Sequence, residues 1–137
     1  MTDPDLIAKK LARIETCVRE LRTLSHPERI GADLREERFI EHTLQIAIQA
    51  AIDVAAHVVS DERLGEPATL REHFDLLARA GWISPALVEA LHDMAGFRNV
   101  LVHGYEEVDL AIVRDVVEHH LEDLLAFVAA MRERIGR

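Results

Sequence analysis

The sequence has few of the residues that break helices or cross-link a chain. Its 137 residues include one cysteine, four prolines and six glycines. The lone thiol, Cys17, excludes an internal disulfide and suits a reducing compartment, and we expect it to be buried and inert. The scarcity of proline and glycine favours long helices. No segment alternates polar and apolar residues between turn signals, so strands are not expected.

Long apolar runs and targeting signals are also missing. The most apolar stretch, residues 46–59, is interrupted by Gln49, Asp53 and His57, so no segment is expected to span a membrane. The N-terminal residues MTDPDLIAKKLARIE contain neither an uncharged apolar region nor a small-residue cleavage site. We therefore expect a soluble, cytoplasmic protein with no membrane partner.

Positively charged residues are fewer than negatively charged ones. The chain has 16 Lys and Arg residues against 25 Asp and Glu residues, which gives a formal net charge of −9. Broad electrostatic binding to nucleic acid requires clustered Lys and Arg, so this balance argues against it. A nucleic-acid site would have to be a local cleft built from few cations. The same charge fits a protein partner that is basic near the contact.

Length and hydrophobic patterning predict one all-helical domain over residues 1–137. A hydrophobic content of 49% is enough for a single core in a chain of this size. Apolar residues at three- and four-residue spacings outline about five helices, which predicts an antiparallel helical bundle. Capping residues and helix breakers set the expected boundaries: Asp3-Pro4 to Ser25-His26-Pro27, Asp33 to about Val59, Thr69 (with Glu72 as a capping box) to Gly81, Ser84-Pro85 to Gly104, and Asp109 to about Met131.

Residues 98–105, with the sequence RNVLVHGY, place three chemically useful side chains at an apparent helix end. Arg98 can hold phosphoryl oxygens, His103 can act as a general base, and the Tyr105 hydroxyl can be modified. Asn99 and His103 are four residues apart, so a hydrogen bond between them could fix one imidazole tautomer. The alternative to a catalytic role is a structural one, with Arg98 as a surface residue and His103 as a cap of the helix end.

Arg98 and His103 cannot both point at one phosphate from a straight helix. Five residues correspond to about 500° of rotation, so the two side chains diverge by about 140°. Three arrangements would resolve the divergence. The helix unwinds before His103, the long Arg98 side chain bends round, or a second copy of the chain completes the site across a dimer interface.

The pattern R-x-x-x-x-H-x-Y, with asparagine after the arginine, resembles the signature of HepT-like toxins of the HEPN superfamily. Other segments are similar to that family as well: His57-Val58-Val59-Ser60, Leu64-Gly65-Glu66-Pro67, Phe74 with Leu76-Leu77, and Met94-Ala95-Gly96-Phe97. The first 30 residues match only as an amphipathic helix. The resemblance implies a homodimeric, all-helical endoribonuclease toxin whose partner is a minimal nucleotidyltransferase (MNT-type) antitoxin.

The resemblance also implies roles for the signature residues. His103 would take the proton of an RNA 2′-hydroxyl as that oxygen attacks the adjacent phosphorus, with Arg98 stabilising the phosphoryl oxygens and Asn99 assisting. The products would be a cyclic phosphate and a 5′-hydroxyl, with no metal and no cofactor. Tyr105 would receive AMP from the antitoxin, which would place negative charge in the anion site and block RNA. The alternative for Tyr105 is a half-buried ring that anchors the loop.

A polar stripe runs along the otherwise apolar second helix. Its members recur every four residues: Glu41, Gln45, Gln49, Asp53 and His57. A solvent-facing stripe explains Glu41 and Gln45 adequately. Asp53 and His57, which are nearest the following loop, could line the catalytic groove. A helix this apolar outside its stripe should be central or lie at a subunit contact.

A second function from another class fits the same sequence. The chain could be a non-catalytic HEPN module that binds a nucleotidyltransferase and helps to position its nucleotide or substrate. The acidic charge favours this alternative, whereas the intact Arg98, His103 and Tyr105 favour the toxin. Growth arrest on expression without the partner would separate the two.

Overall fold

The computed structural model describes residues 3–103 and 108–136, and every regular element in this part of the chain is helical. The helices are α1 (Pro4–Leu24), α2 (Leu34–Asp61), α3 (Leu70–Arg79), α4 (Pro85–His103), α5 (Leu110–His119) and α6 (Leu121–Ile135), with a 3₁₀ turn at Pro27–Arg29 between α1 and α2. The prediction of an all-α fold is therefore confirmed.

Aspartates at predicted cap positions begin three of the helices. Asp3, Asp33 and Asp109 each accept hydrogen bonds from backbone N–H groups of the first turn of α1, α2 and α5. These bonds satisfy donors that have no partner inside the helix. Ser25 ends α1 in an extended conformation two residues before Pro27, as the sequence predicts.

The expected capping box at the start of α3 forms in a shifted arrangement. The Thr69 hydroxyl accepts from the Glu72 N–H at 3.2 Å, but the Glu72 carboxylate accepts from the N–H of Ala68 at 2.6 Å instead of that of Thr69. Gly81 follows the helix with φ of 80°, a left-handed conformation that glycine adopts without steric cost. Both predicted ends of α3 are thus confirmed.

Helix α2 lies at the centre of the bundle and contacts all five other helices. By length and composition it is the one helix of the described ranges that could cross a membrane, but 61% of its apolar window is buried inside the fold. Cys17 belongs to this core. The residue is 4% exposed, and burial raises the pKa of its thiol. We conclude that α2 is the core helix of the bundle.

The predicted fifth helix is wrong in one respect, because it is two helices. The chain bends at His120, which has φ of −120° and ψ of 5° and ends α5. The ring nitrogens of His120 lie 3.1 and 3.4 Å from carboxylate oxygens of Asp115 and Asp123. Arg114 holds α5 against the 3₁₀ turn through the carbonyl oxygens of Pro27 and Ile30. The bend lets α5 contact this turn while α6 packs on α1 and α4.

Candidate active site

Helix α4 carries the first part of the signature and stays helical to its last described residue. The backbone from Arg98 to His103 belongs to α4, so the helix does not unwind before His103. One of the three arrangements expected from the sequence is thereby excluded. The remaining two are a bent Arg98 side chain and a site completed by a second copy of the chain.

The side chain of Arg98 reaches from α4 to the central helix α2. Its Nε donates to the Oε1 of Gln49 at 2.8 Å, and its Nη1 donates to the Oδ1 of Asn99 at 3.3 Å. The Arg98 side chain is half-buried, whereas Asn99 is exposed. Arg98 is therefore not a freely moving surface cation, because its guanidinium is held by two neutral amides from two helices.

The amide of Gln49 is fixed in turn by a charged pair. Its Nε2 donates to the Oδ1 of Asp53 at 2.8 Å, one turn further along α2. The other carboxylate oxygen of Asp53 lies 3.3 Å from the Nζ of Lys10 on α1. A continuous chain of hydrogen bonds therefore runs from α1 through α2 to α4. We call the four residues Lys10, Asp53, Gln49 and Arg98 the polar relay.

All five members of the polar stripe are half-buried, so neighbouring elements cover the stripe in part and leave it partly open to solvent. Burial also raises the pKa of Glu41 at the start of the stripe. Lys10 and Arg13 of α1 lie over its middle, where they line a shallow depression of about 180 Å³ together with Gln45, Gln49 and Asp53. The central position of α2, which contacts all five other helices, accounts for the partial burial of these polar side chains.

The two stripe residues predicted to line the groove differ in what they contact. Asp53 is linked to Arg98 through Gln49 and so belongs to the site, although it does not touch the guanidinium. The side chain of His57 is half-buried and makes no hydrogen bond or ion pair to another side chain in residues 3–103 or 108–136. The hydrogen bonds connect Asp53 to Arg98 through Gln49 and do not include His57, and the role of both residues in lining a catalytic groove stays a prediction.

A second arginine flanks the signature on the other side. Arg71 of α3 donates from its Nε to the carbonyl oxygen of His92 at 3.2 Å and lies against Gly96. Arg71, Gly96 and Asn99 border a depression of about 300 Å³. Arg71 is exposed, so a second guanidinium lies at the same depression as the Asn99 amide that holds Arg98.

Sequence reasoning missed Gln49 as a partner of Arg98, and it missed Lys10 altogether. Gln49 carried a signal, because it stands four residues before Asp53 on the same stripe. Lys10 carried none, since nothing in the amphipathic pattern of α1 points to α2. The side chain of His103 and all of Gly104 and Tyr105 lie outside the described residues, so their roles remain predictions.

The arrangement around Arg98 suits the binding of an anion. Guanidinium is a planar fork of N–H donors that matches phosphate oxygens. Here two of those donors are used by neutral amide oxygens, so the contacts orient the cation without cancelling its charge. Among the described residues Nη2 has no hydrogen-bond acceptor, which leaves it available to a phosphate.

Comparisons with known proteins point to one family. The sequence profile of the ribonuclease HepT-like family matches residues 8–131. The mRNA nuclease HepT of Shewanella oneidensis is 34% identical over 129 residues, which make up 93% of this chain and 97% of that protein. The tRNA nuclease HepT of Aphanizomenon flos-aquae is 32% identical over 102 residues, or 71% of this chain and 69% of that one.

A solved structure gives the same result for the fold. The tri-AMPylated HEPN toxin of Shewanella oneidensis, in complex with an MNT antitoxin, superimposes with a TM-score of 0.87 at 33% sequence identity. The alignment covers 96% of this chain and 99% of the toxin. Family profile, sequence identity and fold all extend over nearly the whole length, and on these grounds the chain belongs to the HepT-like ribonuclease family.

Proposed function

We propose that this chain is a metal-independent endoribonuclease toxin that an MNT-type nucleotidyltransferase antitoxin silences by AMPylation of Tyr105. The observation that carries the proposal is the half-buried Arg98 guanidinium, which two neutral amides orient on the helix that continues to His103. Related proteins are an mRNA nuclease and a tRNA nuclease, which makes RNA the substrate class. The whole of residues 1–137 forms one toxin domain, and it acts in the cytoplasm.

The reaction is an internal transesterification of RNA. His103 removes the proton of a 2′-hydroxyl, the 2′-oxygen bonds to the adjacent phosphorus, and the bond from phosphorus to the 5′-oxygen breaks. Arg98 holds the non-bridging oxygens and stabilises the charge that they gain in the transition state. Asn99 contributes its amide beside the guanidinium. The products are a 2′,3′-cyclic phosphate and a 5′-hydroxyl end.

The active species is a homodimer. Because α4 is helical from Arg98 to His103, positions 98 and 103 of the helix face directions that differ by about 140°. In the dimer, Arg98 of one copy pairs with His103 of the other copy, so each residue gains the partner that its own helix does not provide. Two copies also bring two arginines into one cleft, which matters in a chain whose net charge is −9.

The antitoxin acts on the toxin as an enzyme. The toxin of the solved Shewanella oneidensis complex is tri-AMPylated and bound to an MNT antitoxin. A related toxin–antitoxin complex, 33% identical to this chain, was solved with AMP-PNP. AMP on Tyr105 brings phosphate charge close to Arg98 and competes with RNA for it.

Cleavage assays with purified variants test the proposal. Arg98→Ala and His103→Ala should each abolish RNA cleavage in a folded protein, and EDTA should not affect the wild type. Arg38→Ala and His42→Ala are matched controls, because both residues are exposed on the far half of α2. New 5′ ends should carry a hydroxyl, which polynucleotide kinase labels without prior phosphatase treatment.

The outcomes separate the toxin from its alternative. A folded His103→Ala variant with full activity would overturn the assignment, as would cleavage that EDTA abolishes. A wild-type chain that neither cleaves RNA nor arrests growth, yet binds the nucleotidyltransferase, would instead indicate the non-catalytic module.

A further inference from the structure

The polar relay has only one possible direction of hydrogen bonding. The Lys10 ammonium and the Arg98 guanidinium can only donate, and an ionised Asp53 carboxylate can only accept. Gln49 stands between an obligate acceptor at 2.8 Å and an obligate donor at 2.8 Å. Its amide must therefore turn Nε2 towards Asp53 and Oε1 towards Arg98, so the chemistry of the neighbours fixes which end is which.

Removal of the Asp53 carboxylate would leave the Gln49 amide held at one end only. Nε2 would lose its acceptor, and the bond from Arg98 alone would then hold Oε1 in place. Lys10 holds the second oxygen of that carboxylate at 3.3 Å. The orientation of the Arg98 guanidinium thus depends on Asp53 and Lys10, which do not contact it.

A neutral residue at position 49 has a specific advantage. A glutamate there would form an ion pair with Arg98 and cancel the charge that a phosphate requires, and it would also repel Asp53. A leucine of similar size would leave the Arg98 Nε without its acceptor. Glutamine alone among these provides an acceptor for Arg98 and a donor for Asp53 without adding charge.

We propose that Gln49 is a positioning residue for Arg98, and that Asp53 and Lys10 act through it. The inference rests on the proposed ribonuclease function and adds residues from α1 and α2 to its site. The Gln49 acceptor holds Nε and the Asn99 acceptor holds Nη1, so that Nη2 is presented to the phosphoryl oxygens. A guanidinium fixed before substrate binds needs no reordering in the transition state.

Steady-state kinetics on a defined RNA oligonucleotide tests this role. Gln49→Leu should lower kcat about tenfold, the effect of losing one hydrogen bond to a charged group, and should change KM by less than about threefold. Gln49→Glu should instead raise KM, because it neutralises the guanidinium before RNA arrives. Gln45→Leu is the matched control, with the same substitution one turn earlier on the same half-buried stripe.

A double-mutant cycle tests whether Asp53 acts through Gln49. Asp53→Leu should lower kcat in the wild-type background and have no further effect in the Gln49→Leu background. Independent, multiplicative losses from the two substitutions would overturn the relay. So would a folded Gln49→Leu variant with the kinetic constants of Gln45→Leu.

A measurement that needs no activity keeps this inference separate from the proposed function. In the ¹⁵N-labelled protein, the Arg98 Nε–H should give a signal that is protected from exchange with water, assigned by its loss in Arg98→Lys. Gln49→Leu should abolish the protection, and Gln45→Leu should keep it. Equal protection in both variants would overturn the positioning role, whether or not the chain cleaves RNA. Absence of cleavage with the expected loss of protection would refute only the ribonuclease function.

Discussion

The Nη2 atom of Arg71 lies 2.5 Å from the position that a Cβ atom on Gly96 would occupy. Arg71 reaches from α3 to α4, and its Nε bonds to the carbonyl oxygen of His92. Glycine in a helix interior is normally a defect of about 0.5–1 kcal/mol relative to alanine. At this position, immediately before Phe97 and Arg98, its missing side chain makes room for a guanidinium.

We expect Gly96→Ala to change the free energy of unfolding by less than about 1 kcal/mol. The gain in helix propensity opposes the loss of the Arg71 hydrogen bond, since the flexible guanidinium can move away. In an Arg71→Ala background the same substitution should stabilise by about 0.5–1 kcal/mol, because the obstruction is gone. Urea denaturation measures both changes. The same change in both backgrounds would show that Arg71 does not occupy this space.

Helix boundaries were predictable where a local chemical signal marks them. Asp3, Asp33, Thr69 and Asp109 each cap the helix that the sequence assigns to them. The bend at His120 had no such signal. Apolar residues continue at three- and four-residue spacing through it, so one long helix and two helices at an angle have the same pattern.

Only those site residues that lie close together in the sequence were predictable. Arg98 and Asn99 were found because they are adjacent in one segment, although the spacing predicts a bond from Asn99 to His103 and not the Arg98–Asn99 bond that the structure shows. The Arg98–Gln49 bond joins residues 49 positions apart, and the Lys10–Asp53 bond joins residues 43 apart. Both depend on how α1, α2 and α4 pack, which a pattern of spacings does not contain. A polar stripe on an apolar helix indicates that its side chains have hydrogen-bond partners, but it does not identify the residues that provide them.

Acid should weaken one link between the first and last helices. Arg132 donates to both carboxylate oxygens of Glu15, at 2.9 and 2.5 Å, and this hydrogen bonding lowers the pKa of Glu15. A lowered folded-state pKa gives stability that is present above the unfolded value of about 4.3 and is lost as pH falls through the folded value. The side chains are 38% and 49% exposed, so the contribution should stay below about 1 kcal/mol.

Glu15→Gln measures this contribution directly. The variant should be less stable than the wild type at pH 7, and the difference should shrink at an acidic pH below the folded-state pKa of Glu15, where its carboxyl is protonated in both states. Glu89→Gln, at an exposed position on α4, is the control and should show no such pH dependence. A deficit of equal size at both pH values would mean that the carboxylate charge is not responsible.

Mixed dimers distinguish a shared site from one contained in a single copy. If each site combines Arg98 of one copy with His103 of the other, a heterodimer of Arg98→Ala and His103→Ala retains one complete pair. Co-refolding the two inactive variants should then restore about half of the wild-type activity per heterodimer. Each variant refolded alone is the control. No recovery, in mixtures shown by mass to contain heterodimers, would refute the shared arrangement.

AMPylation should depend on Tyr105, which is the only tyrosine of the chain. Its oxygen would attack the α-phosphorus of ATP held by the antitoxin, with loss of the phenolic proton and departure of pyrophosphate. The resulting phosphodiester charge near Arg98 should block RNA by occupying its guanidinium, so the modified protein should stay folded. Tyr105→Phe keeps the ring and should remain toxic without antitoxin, yet escape enzymatic silencing. Intact-mass measurement after incubation with the MNT-type partner and ATP-Mg should show AMP-sized additions to the wild type and none to Tyr105→Phe, and equal labelling of both proteins would rule out this residue.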